Sequence, residues 1–204
     1  MRETNRRLRP GAELAGRELV AVSGERVRIP DPDRLIHLQF RRFAGCPVCN
    51  LHLRSVVRRH AELAAAGVRE VVLFHSPADA LREHVGDLPF PVIADPEKRL
   101  YGEFGVESSP RAILDPRAWP TILRAVLVSA WALLRGRRPV PPLFPEGGRF
   151  GLPADFLIAG DGRVLACHYG AHVDDQWSVD EVLGFARSAR VEASGLADAA
   201  PAGR

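Results

Sequence analysis

Residues 41–49 read RRFAGCPVC and place two cysteines, Cys46 and Cys49, three positions apart. An apolar run at residues 35–40 comes directly before this segment and predicts a buried strand. Residues 50–64 carry apolar side chains at helical spacing and predict an amphipathic helix. The cysteine pair is therefore expected at the point where a strand gives way to a helix.

This position has a chemical meaning for both thiols. The free backbone N–H groups and the dipole of a helix N-terminus favour negative charge, so a thiolate is stabilised there. Residues three apart on a first helical turn share a face, so the two sulfurs can approach each other. Pro47 has no N–H, as suits a first turn. One sulfur can attack a substrate, and the other can displace that substrate by forming a disulfide.

The composition argues against nucleic-acid binding and against secretion. The formal net charge is only +3, and the arginines are scattered along the predicted helices, as on a solvated surface. Three cysteines do not form a framework of pairs, and this odd number fits a reducing compartment. The first residues lack the apolar core of a signal peptide. We therefore expect a cytoplasmic protein with no nucleic-acid partner.

The length suits one medium-sized domain with a sizeable core. We predict a flexible arm at residues 1–12, a single domain at residues 13–192 and a flexible tail at residues 193–204. The domain carries an insertion at about residues 111–151. A small hairpin at residues 18–29 is expected before the central strand.

The remaining strands follow from local patterns. Residues 68–74 read as a second buried strand, which a helical crossover makes parallel to the first. Residues 154–158 and 164–168 form a predicted hairpin around an Asp-Gly turn. Ser178 and Glu181 have the spacing of a capping box, which predicts a final helix.

Two shorter helices are expected between these strands. Residues 76–85 form the first, with Ser76 as its N-cap, and residues 95–104 form the second, with Asp95 as its cap. Residues 105–117 have no clear pattern and are predicted to be a loop.

The order of elements resembles the thioredoxin fold, and more narrowly the peroxiredoxin-like branch of the alkyl hydroperoxide reductase and thiol-specific antioxidant (AhpC/TSA) superfamily. Three segments carry the resemblance, which covers roughly residues 35–190. They are residues 40–49, residues 90–96 with Leu100-Tyr101 and Phe104-Gly105-Val106, and residues 151–158 with Asp161-Gly162. The resemblance implies an α/β protein, a thioredoxin-like three-layer α/β/α sandwich with a mixed central sheet, an N-terminal hairpin and a helical insertion.

The resemblance also implies roles for individual residues. Cys46 takes the position of the nucleophile and Cys49 that of the resolving cysteine, as in an oxidoreductase that reduces peroxides or disulfides. Pro153 matches the proline that is cis in thioredoxin-like proteins and faces the dithiol. A thioredoxin- or glutathione-type reductant would reset the pair. No cofactor is implied, and a homodimer is one expected assembly.

The sequence departs from the family at one position. Typical peroxiredoxins carry Thr or Ser three residues before the peroxidatic cysteine, where this chain has Phe43. The hydroxyl that would position a peroxide is therefore missing, while thiol–disulfide exchange does not need it. Arg41 or Arg42 can supply the positive charge that stabilises a reactive thiolate.

A zinc site is the alternative interpretation of the cysteine pair, in a thioredoxin-like binding module without enzymatic activity. Zinc needs two further ligands, for which Cys167, His168 and His52 are the candidates. Cys167 and His168 are neighbours on a strand and point to opposite faces, so both do not easily serve. The strand–Cys-x-x-Cys–helix context favours redox chemistry.

Two further segments invite a functional hypothesis. The loop at residues 168–172 should lie at the active edge of the sheet, and His172 is a candidate for substrate contact. Residues 119–135 are strongly apolar but interrupted by Arg124, which argues against a membrane span. We predict a helix whose apolar face is buried against the domain or a second subunit. A helix that lies on a membrane surface is the alternative.

Overall fold

The computed structural model of the protein describes residues 7–85, 87–135, 145 and 148–198. Strands and helices follow one another along this part of the chain in the predicted order. The elements are β1 (Arg17–Val20), β2 (Arg26–Ile29), β3 (Leu35–Arg41), α1 (Pro47–Arg58), α2 (His60–Ala65), β4 (Val68–Phe74), α3 (Ala78–Val85), β5 (Val92–Ala94), α4 (Arg99–Glu103), α5 (Arg111–Leu114), a 3-10 turn (Pro116–Ala118), α6 (Trp119–Leu134), β6 (Ala154–Ile158), β7 (Val164–Tyr169) and α7 (Val179–Asp198).

The central sheet has five strands in the order β5-β4-β3-β6-β7. Strand β3 pairs in parallel with β4, and β4 pairs in parallel with β5. Strand β6 runs antiparallel to both β3 and β7, so β7 points in the same direction as β3. The predicted mixed sheet is confirmed, and the carboxyl ends of β3, β4 and β7 meet at one edge. The separate hairpin of β1 and β2 is also confirmed.

One face of the sheet is apolar. Because side chains alternate along a strand, Ile36, Leu38 and Phe40 of β3 all point to this face. They pack with the β1–β2 hairpin and α4, and the rings of Phe40 and Phe104 are 5.1 Å apart. Full burial of such a side chain stabilises the fold by about 1.5–3 kcal/mol.

Helices α1, α2, α3 and α7 supply the buried side chains on the opposite side of the sheet. Their contributions include Leu53, Leu63, Leu81 and Val182, each of which is almost fully buried. With the hairpin and α4 beyond the other face, the sheet is the middle layer of the predicted sandwich.

The helical side of β3 also carries polar side chains, which differs from the prediction of an apolar strand. Arg41 is fully buried, and its Nη2 donates hydrogen bonds to Asp155 Oδ1 at 2.7 Å and Gln39 Oε1 at 2.6 Å. His52 Nε2 lies 3.2 Å from the same nitrogen. Burial and the charge of Arg41 lower the pKa of His52 to about 3, so this imidazole is neutral.

His37 lies between two buried carboxylates beneath α1. Its Nδ1 is 2.8 Å from Glu70 Oε2, and its Nε2 is 3.2 Å from Asp155 Oδ1. Burial alone would lower the pKa of His37, but Glu70 and Asp155 raise it to about 9. Burial likewise opposes ionisation of Asp155, yet Arg41 and His37 hold its pKa well below its usual range. Arg41, His37, Asp155 and Glu70 therefore form a network of buried charge, in which Arg41 Nε and Glu70 Oε1 have no hydrogen-bond partner among the described residues.

Several helix boundaries differ from the predictions. The predicted helix at residues 50–64 is interrupted at Arg59, which separates α1 from α2. The predicted helix at residues 95–104 begins only at Arg99, because Lys98 has a φ of 55° in the left-handed region. The carboxylate of Asp95 still caps it and accepts from the N–H of Leu100 at 2.8 Å.

The segment predicted as a loop at residues 105–117 contains the short helix α5 and the start of the 3-10 turn. The capping box is confirmed: Ser178 N donates to Glu181 Oε2 at 2.7 Å, and Glu181 N donates to Ser178 Oγ at 3.3 Å. These contacts fix the start of α7.

Residues 7–12 of the predicted flexible arm form hydrogen bonds with the domain. Residues 1–6 lie outside the described residues, but Leu8 N donates to Tyr169 Oη at 2.7 Å. Gly11 N donates to Val164 O at 2.8 Å, so this segment is held along β7. The predicted tail from residue 193 is helical to the end of α7, and residues 199–204 lie outside the described part.

The insertion forms the predicted helix, α6, which packs against α1. Ala125 and Ala132 are buried, but most of the large apolar side chains are exposed. The prediction that the domain buries the apolar face is therefore wrong, which leaves a second subunit and a membrane surface as the predicted partners of this face. None of the helices in the described ranges combines the length and the hydropathy that a membrane span requires.

Gly170 lies where a side chain has no room. A Cβ there would be 2.7 Å from Pro153 Cγ and would also overlap the carbonyl oxygen of Asp175. We expect Gly170→Ala to lower the free energy of unfolding by about 1–3 kcal/mol, because backbone has to move. Gly102→Ala is the matched control: it meets nothing within 4 Å in α4 and should stabilise by up to about 1 kcal/mol. Urea denaturation measures both, and equal effects would contradict the prediction.

Candidate active site

Cys46 and Cys49 lie where the sequence predicts them, at the junction of β3 and α1. Cys46 is the N-cap of α1, and Pro47 is its first residue. A tight turn precedes the cap, in which Cys46 N donates to Phe43 O at 3.1 Å. Gly45 has a φ of 77° in this turn, a conformation that favours glycine. Both cysteines are free thiols and are buried.

The sulfur of Cys46 is surrounded by donors. The backbone N–H of Cys49 is 3.4 Å away, and Arg42 Nη1 is 3.5 Å away. Burial alone would raise the pKa of Cys46. A hydrogen bond from the Cys49 thiol, the charge of Arg42 and the backbone N–H groups of Cys49 and Val48 together lower this pKa to about 6. Cys46 is therefore largely a thiolate at neutral pH.

The pKa of Cys49 is shifted in the opposite direction. Burial and the neighbouring Cys46 sulfur raise the pKa of Cys49 well above its ordinary value. The pair thus consists of one thiolate and one thiol that donates a hydrogen bond to it. A thiolate is the nucleophilic form of cysteine, so the geometry favours Cys46 as the attacking sulfur and Cys49 as the proton-bearing partner.

The structure distinguishes the two arginines before the motif. Arg41 is the last residue of β3 and points into the buried charge network, whereas Arg42 follows the strand and reaches Cys46. Its Nη2 also donates to the carbonyl oxygen of Arg149, and its guanidinium lies 5.2 Å from the ring centre of Phe43. Neighbouring residues of an extended chain point to opposite sides, which explains why Arg41 enters the buried network while Arg42 reaches Cys46.

Replacing Arg42 should destabilise the ionised form of Cys46. We expect Arg42→Met to raise the pKa of Cys46, because the nearest positive charge is lost. Each unit of increase lowers the thiolate fraction about tenfold at a pH well below the midpoint. The measurement is the rate of iodoacetamide alkylation against pH, which should reach half its maximum near the pKa of about 6 in the wild type.

Arg54→Met is the matched control for this substitution. Arg54 is a half-buried arginine of the same helix, α1, and makes no ion pair among the described residues. Its replacement should leave the alkylation midpoint where it is. A midpoint in Arg42→Met equal to that of the wild type would show that Arg42 does not stabilise the thiolate.

Three residues that contact Ala44 or Arg42 were not assigned to the site by the sequence patterns. Ser76, the predicted cap of α3, accepts a hydrogen bond at its Oγ from the N–H of Ala44 at 2.9 Å. His75 N donates to Arg42 O at 3.1 Å. A Cβ on Gly151 would lie 2.9 Å from His75 Nε2, so this glycine allows close packing. The carboxyl end of β4 is where such residues belong, since active-site groups gather at the carboxyl ends of parallel strands.

Pro153 does not have the predicted backbone geometry. The cis peptide bond within the described residues is Ile29–Pro30, and the bond before Pro153 is not cis. Pro153 is buried at the start of β6, and its carbonyl oxygen accepts from Gly170 N at 2.9 Å. Its side chain packs against the loop that begins at Gly170. This contact joins residues that are distant in sequence, so matching local sequence segments does not predict it.

The structure places His172 in a loop with its own contacts. His172 Nδ1 accepts from Asp174 N at 3.3 Å, and His168 Nε2 lies 2.8 Å from Asp175 Oδ1. The other oxygen of Asp175 accepts from Ala171 N at 2.7 Å. These bonds order the loop after β7, and the role of His172 in substrate contact stays a prediction.

The additional zinc ligands that the alternative requires are engaged elsewhere. Cys167 donates to the carbonyl oxygen of Leu8 at 3.5 Å, and burial raises the pKa of its thiol. His52 faces Arg41 in the charge network. In the part of the chain that the structure describes, no group of three or more His, Cys, Asp or Glu residues could hold a metal ion.

The sequence matches one family model, which is described as AhpC/TSA antioxidant enzyme. The match spans residues 55–172, more than half of the chain. It begins after β3 and the two cysteines, so it rests on the later strands, the insertion and the loops and not on the cysteine motif itself. No curated protein sequence matches this chain.

Solved structures of peroxiredoxins share the fold. Peroxidoxin BcpB from Mycobacterium tuberculosis superposes with a TM-score of 0.59 at 18% identity, over 89% of this chain and 97% of that one. Reduced 2-Cys peroxiredoxin of Plasmodium vivax gives 0.63 at 12% identity, over 92% and 84%. The yeast mitochondrial 1-Cys peroxiredoxin gives 0.58 at 13% identity, over 92% and 78%. At these identities the likeness establishes the thioredoxin-like fold.

Proposed function

Because this chain belongs to the AhpC/TSA antioxidant enzyme family, we propose that it is a thiol-dependent oxidoreductase that reduces peroxides or disulfides through Cys46 and Cys49. The observation that carries the proposal is the environment of the Cys46 sulfur. It caps α1, accepts hydrogen bonds from Arg42 and the backbone of Cys49, and has a pKa of about 6. A buried sulfur with these donors is arranged for nucleophilic chemistry.

With a peroxide, the Cys46 thiolate attacks one oxygen of the O–O bond. The new S–O bond forms as the O–O bond breaks, and the leaving alkoxide or hydroxide takes a proton from solvent. Cys46 becomes a sulfenic acid and the peroxide is reduced to an alcohol or water. The guanidinium of Arg42, 3.5 Å from the sulfur, stabilises the negative charge that moves onto the oxygens.

Cys49 then resolves the adduct. Its sulfur attacks Cys46, the S–O bond breaks, and hydroxide leaves with the Cys49 proton as water. The product is a Cys46–Cys49 disulfide. With a disulfide substrate, Cys46 forms a mixed disulfide and releases one thiolate, and Cys49 displaces the second thiol. Both routes end in the same oxidised pair, because Cys49 lies one turn into the helix that Cys46 caps.

An external thiol reductant must return the pair to the dithiol. Two electrons and two protons are needed, and a thioredoxin- or glutathione-type thiol supplies them by exchange through a mixed disulfide. The yeast neighbour, whose thiol is resolved via glutathione and thioredoxin systems, supports this class of reductant. The proposed compartment is the reducing cytoplasm, where a dithiol such as this one is maintained.

Side-by-side oxidation of the reduced protein tests the proposal. Stopped-flow fluorescence would follow its reaction with hydrogen peroxide, tert-butyl hydroperoxide and hydroxyethyl disulfide. We expect at least one of them to consume two of the three thiols and to leave a Cys46–Cys49 disulfide in the peptide map. Phe43 replaces the hydroxyl of typical peroxiredoxins, so the ratio of peroxide to disulfide rates identifies the substrate class.

Two results would overturn the proposal. In one, all three thiols survive each oxidant at concentrations that oxidise free cysteine. In the other, the reduced protein purifies with stoichiometric zinc held by Cys46 and Cys49, and removal of the metal unfolds it. The second result would establish the non-enzymatic binding module instead.

A further inference from the structure

Helix α6 presents a broad apolar face that the rest of the described chain does not cover. Six large apolar side chains on the helix are between 49% and 86% exposed. They are Trp119, Leu123, Val126, Leu127, Trp131 and Leu134. Their spacing of three to four residues places them on one side of the helix. We call these six residues the α6 face. Monomeric soluble proteins rarely expose a contiguous apolar patch of this kind.

The side of α6 opposite this face holds the helix to the domain. Ala125 and Ala132 are buried where the helix packs against α1, and Thr121 Oγ1 donates to Asp174 Oδ2 at 2.6 Å. Small side chains in this seam let the helix lie close to the domain while its large side chains point away. The α6 face is therefore exposed because the helix packs against the domain through its small side chains.

The charges of α6 are all of one sign. Residues 119–134 contain no acidic side chain, and Arg124 is exposed at the border of the α6 face. Among the described residues Arg124 has no ion-pair partner. Arg135 follows the helix and lies over the ring of Trp131, 3.5 Å from the ring centre. The apolar face is thus flanked by guanidinium groups at its middle and at its end.

We propose that the α6 face docks onto the surface of an anionic phospholipid bilayer. Helices that lie in a membrane interface combine an apolar face of Trp and Leu with flanking basic residues. Trp side chains prefer the level of the headgroups, where an amphipathic ring has both an apolar and a polar neighbour. The 16 residues of α6 rise about 24 Å, too little to cross a hydrocarbon core, so the helix would lie parallel to the surface.

Charge complementarity favours a bilayer over a second copy of this chain. Two α6 helices packed face to face would bring together only apolar and positively charged groups, since neither carries an acidic residue to pair with Arg124. Anionic headgroups supply that pairing to Arg124 and Arg135 together with an apolar interior for the leucines. The proposal concerns binding alone and does not depend on the redox chemistry of Cys46.

Vesicle binding by the full-length protein tests this inference. The probes are phosphatidylcholine vesicles with and without phosphatidylglycerol, separated from free protein by flotation. We expect binding to the anionic vesicles that weakens with added salt, and a blue shift of tryptophan emission as Trp119 and Trp131 leave water. Light scattering without lipid should show that the α6 face does not assemble the chain by itself.

Matched variants assign the binding to α6. Leu127→Glu should lower the vesicle partition coefficient about tenfold or more, because a charge enters the centre of the apolar face. Arg124→Glu should weaken binding to anionic vesicles more than binding to neutral ones. Val20→Glu is the control, since Val20 has the same exposed fraction as Leu127, 61%, but lies in β1.

Three results would overturn the proposal. The first is no binding to either vesicle. The second is equal loss of binding in Leu127→Glu and Val20→Glu. The third is a stable dimer in the absence of lipid that Leu127→Glu dissociates, which would assign the α6 face to a second copy of this chain.

Discussion

We expect Cys46→Ser to abolish the proposed oxidoreductase turnover, and Cys49→Ser to allow one oxidation and then stop. The serine hydroxyl is not ionised near neutral pH, so the substitution removes the nucleophile that the helix cap and Arg42 stabilise. We expect a loss of about a thousandfold or more, as for other covalent nucleophiles. In Cys49→Ser the sulfenic acid or mixed disulfide on Cys46 has no resolving thiol and will accumulate.

Mass spectrometry of the two variants after a single exposure to oxidant measures this directly. The adduct on Cys49→Ser should map to Cys46 and should react with a sulfenic-acid probe such as dimedone when the oxidant is a peroxide. Cys167→Ser is the control: Cys167 lies on β7 against Leu8, and its replacement should leave the rates unchanged. An adduct that forms on Cys49 in the Cys46→Ser variant would reverse the assigned roles.

Asp155→Ala will destabilise the protein by about 3–5 kcal/mol, the loss typical of breaking a buried ion pair by removing one partner. Asp155 and Arg41 are fully buried and 2.7 Å apart. The remaining oxygen of Asp155 accepts from Trp177 N at 3.2 Å. Without the carboxylate, Arg41 would lose its buried ion-pair partner and His37 would keep only Glu70. Urea denaturation monitored by circular dichroism gives the free energy of unfolding.

A surface carboxylate provides the comparison. Asp79→Ala removes the partner of Arg82 on α3, where both side chains are largely exposed, and should leave the stability unchanged. The double variant Arg41→Met with Asp155→Leu should recover much of the loss, since apolar side chains replace both charges. If Asp155→Ala unfolds at the same urea concentration as Asp79→Ala, the buried network does not stabilise this fold.

Local sequence signals predicted the elements of this protein well where a few neighbouring residues suffice to specify the structure. The capping box of Ser178 and Glu181 needs only two side chains and two N–H groups of one helical turn. Gly67, with a φ of 67°, follows α2 in the left-handed conformation that glycine commonly adopts after a helix. The place of Cys46 at the N-terminus of α1 follows from the apolar run before it and the helical spacing after it.

Features that depend on residues far apart in the chain were not available from these patterns. Arg41 and Arg42 are neighbours that point to opposite sides of the chain, but local sequence does not show which of them faces Asp155, more than a hundred residues later. Ser76 stands at a position typical of a helix N-cap, and only the fold shows that its hydroxyl accepts a hydrogen bond from the N–H of Ala44. The contact between Pro153 and Gly170 likewise joins segments that local patterns do not relate.

Helix α6 shows most clearly the difference between what local sequence predicts and what tertiary packing decides. Periodicity and composition were enough to predict a helix over residues 119–135, because helix formation depends on near neighbours. The side of α6 that is buried is determined by the surface of α1 against which the helix packs. That surface accepts the small side chains of Ala125 and Ala132 and leaves Leu127 and Trp131 in solvent, because close approach of two helices needs small residues at the contact.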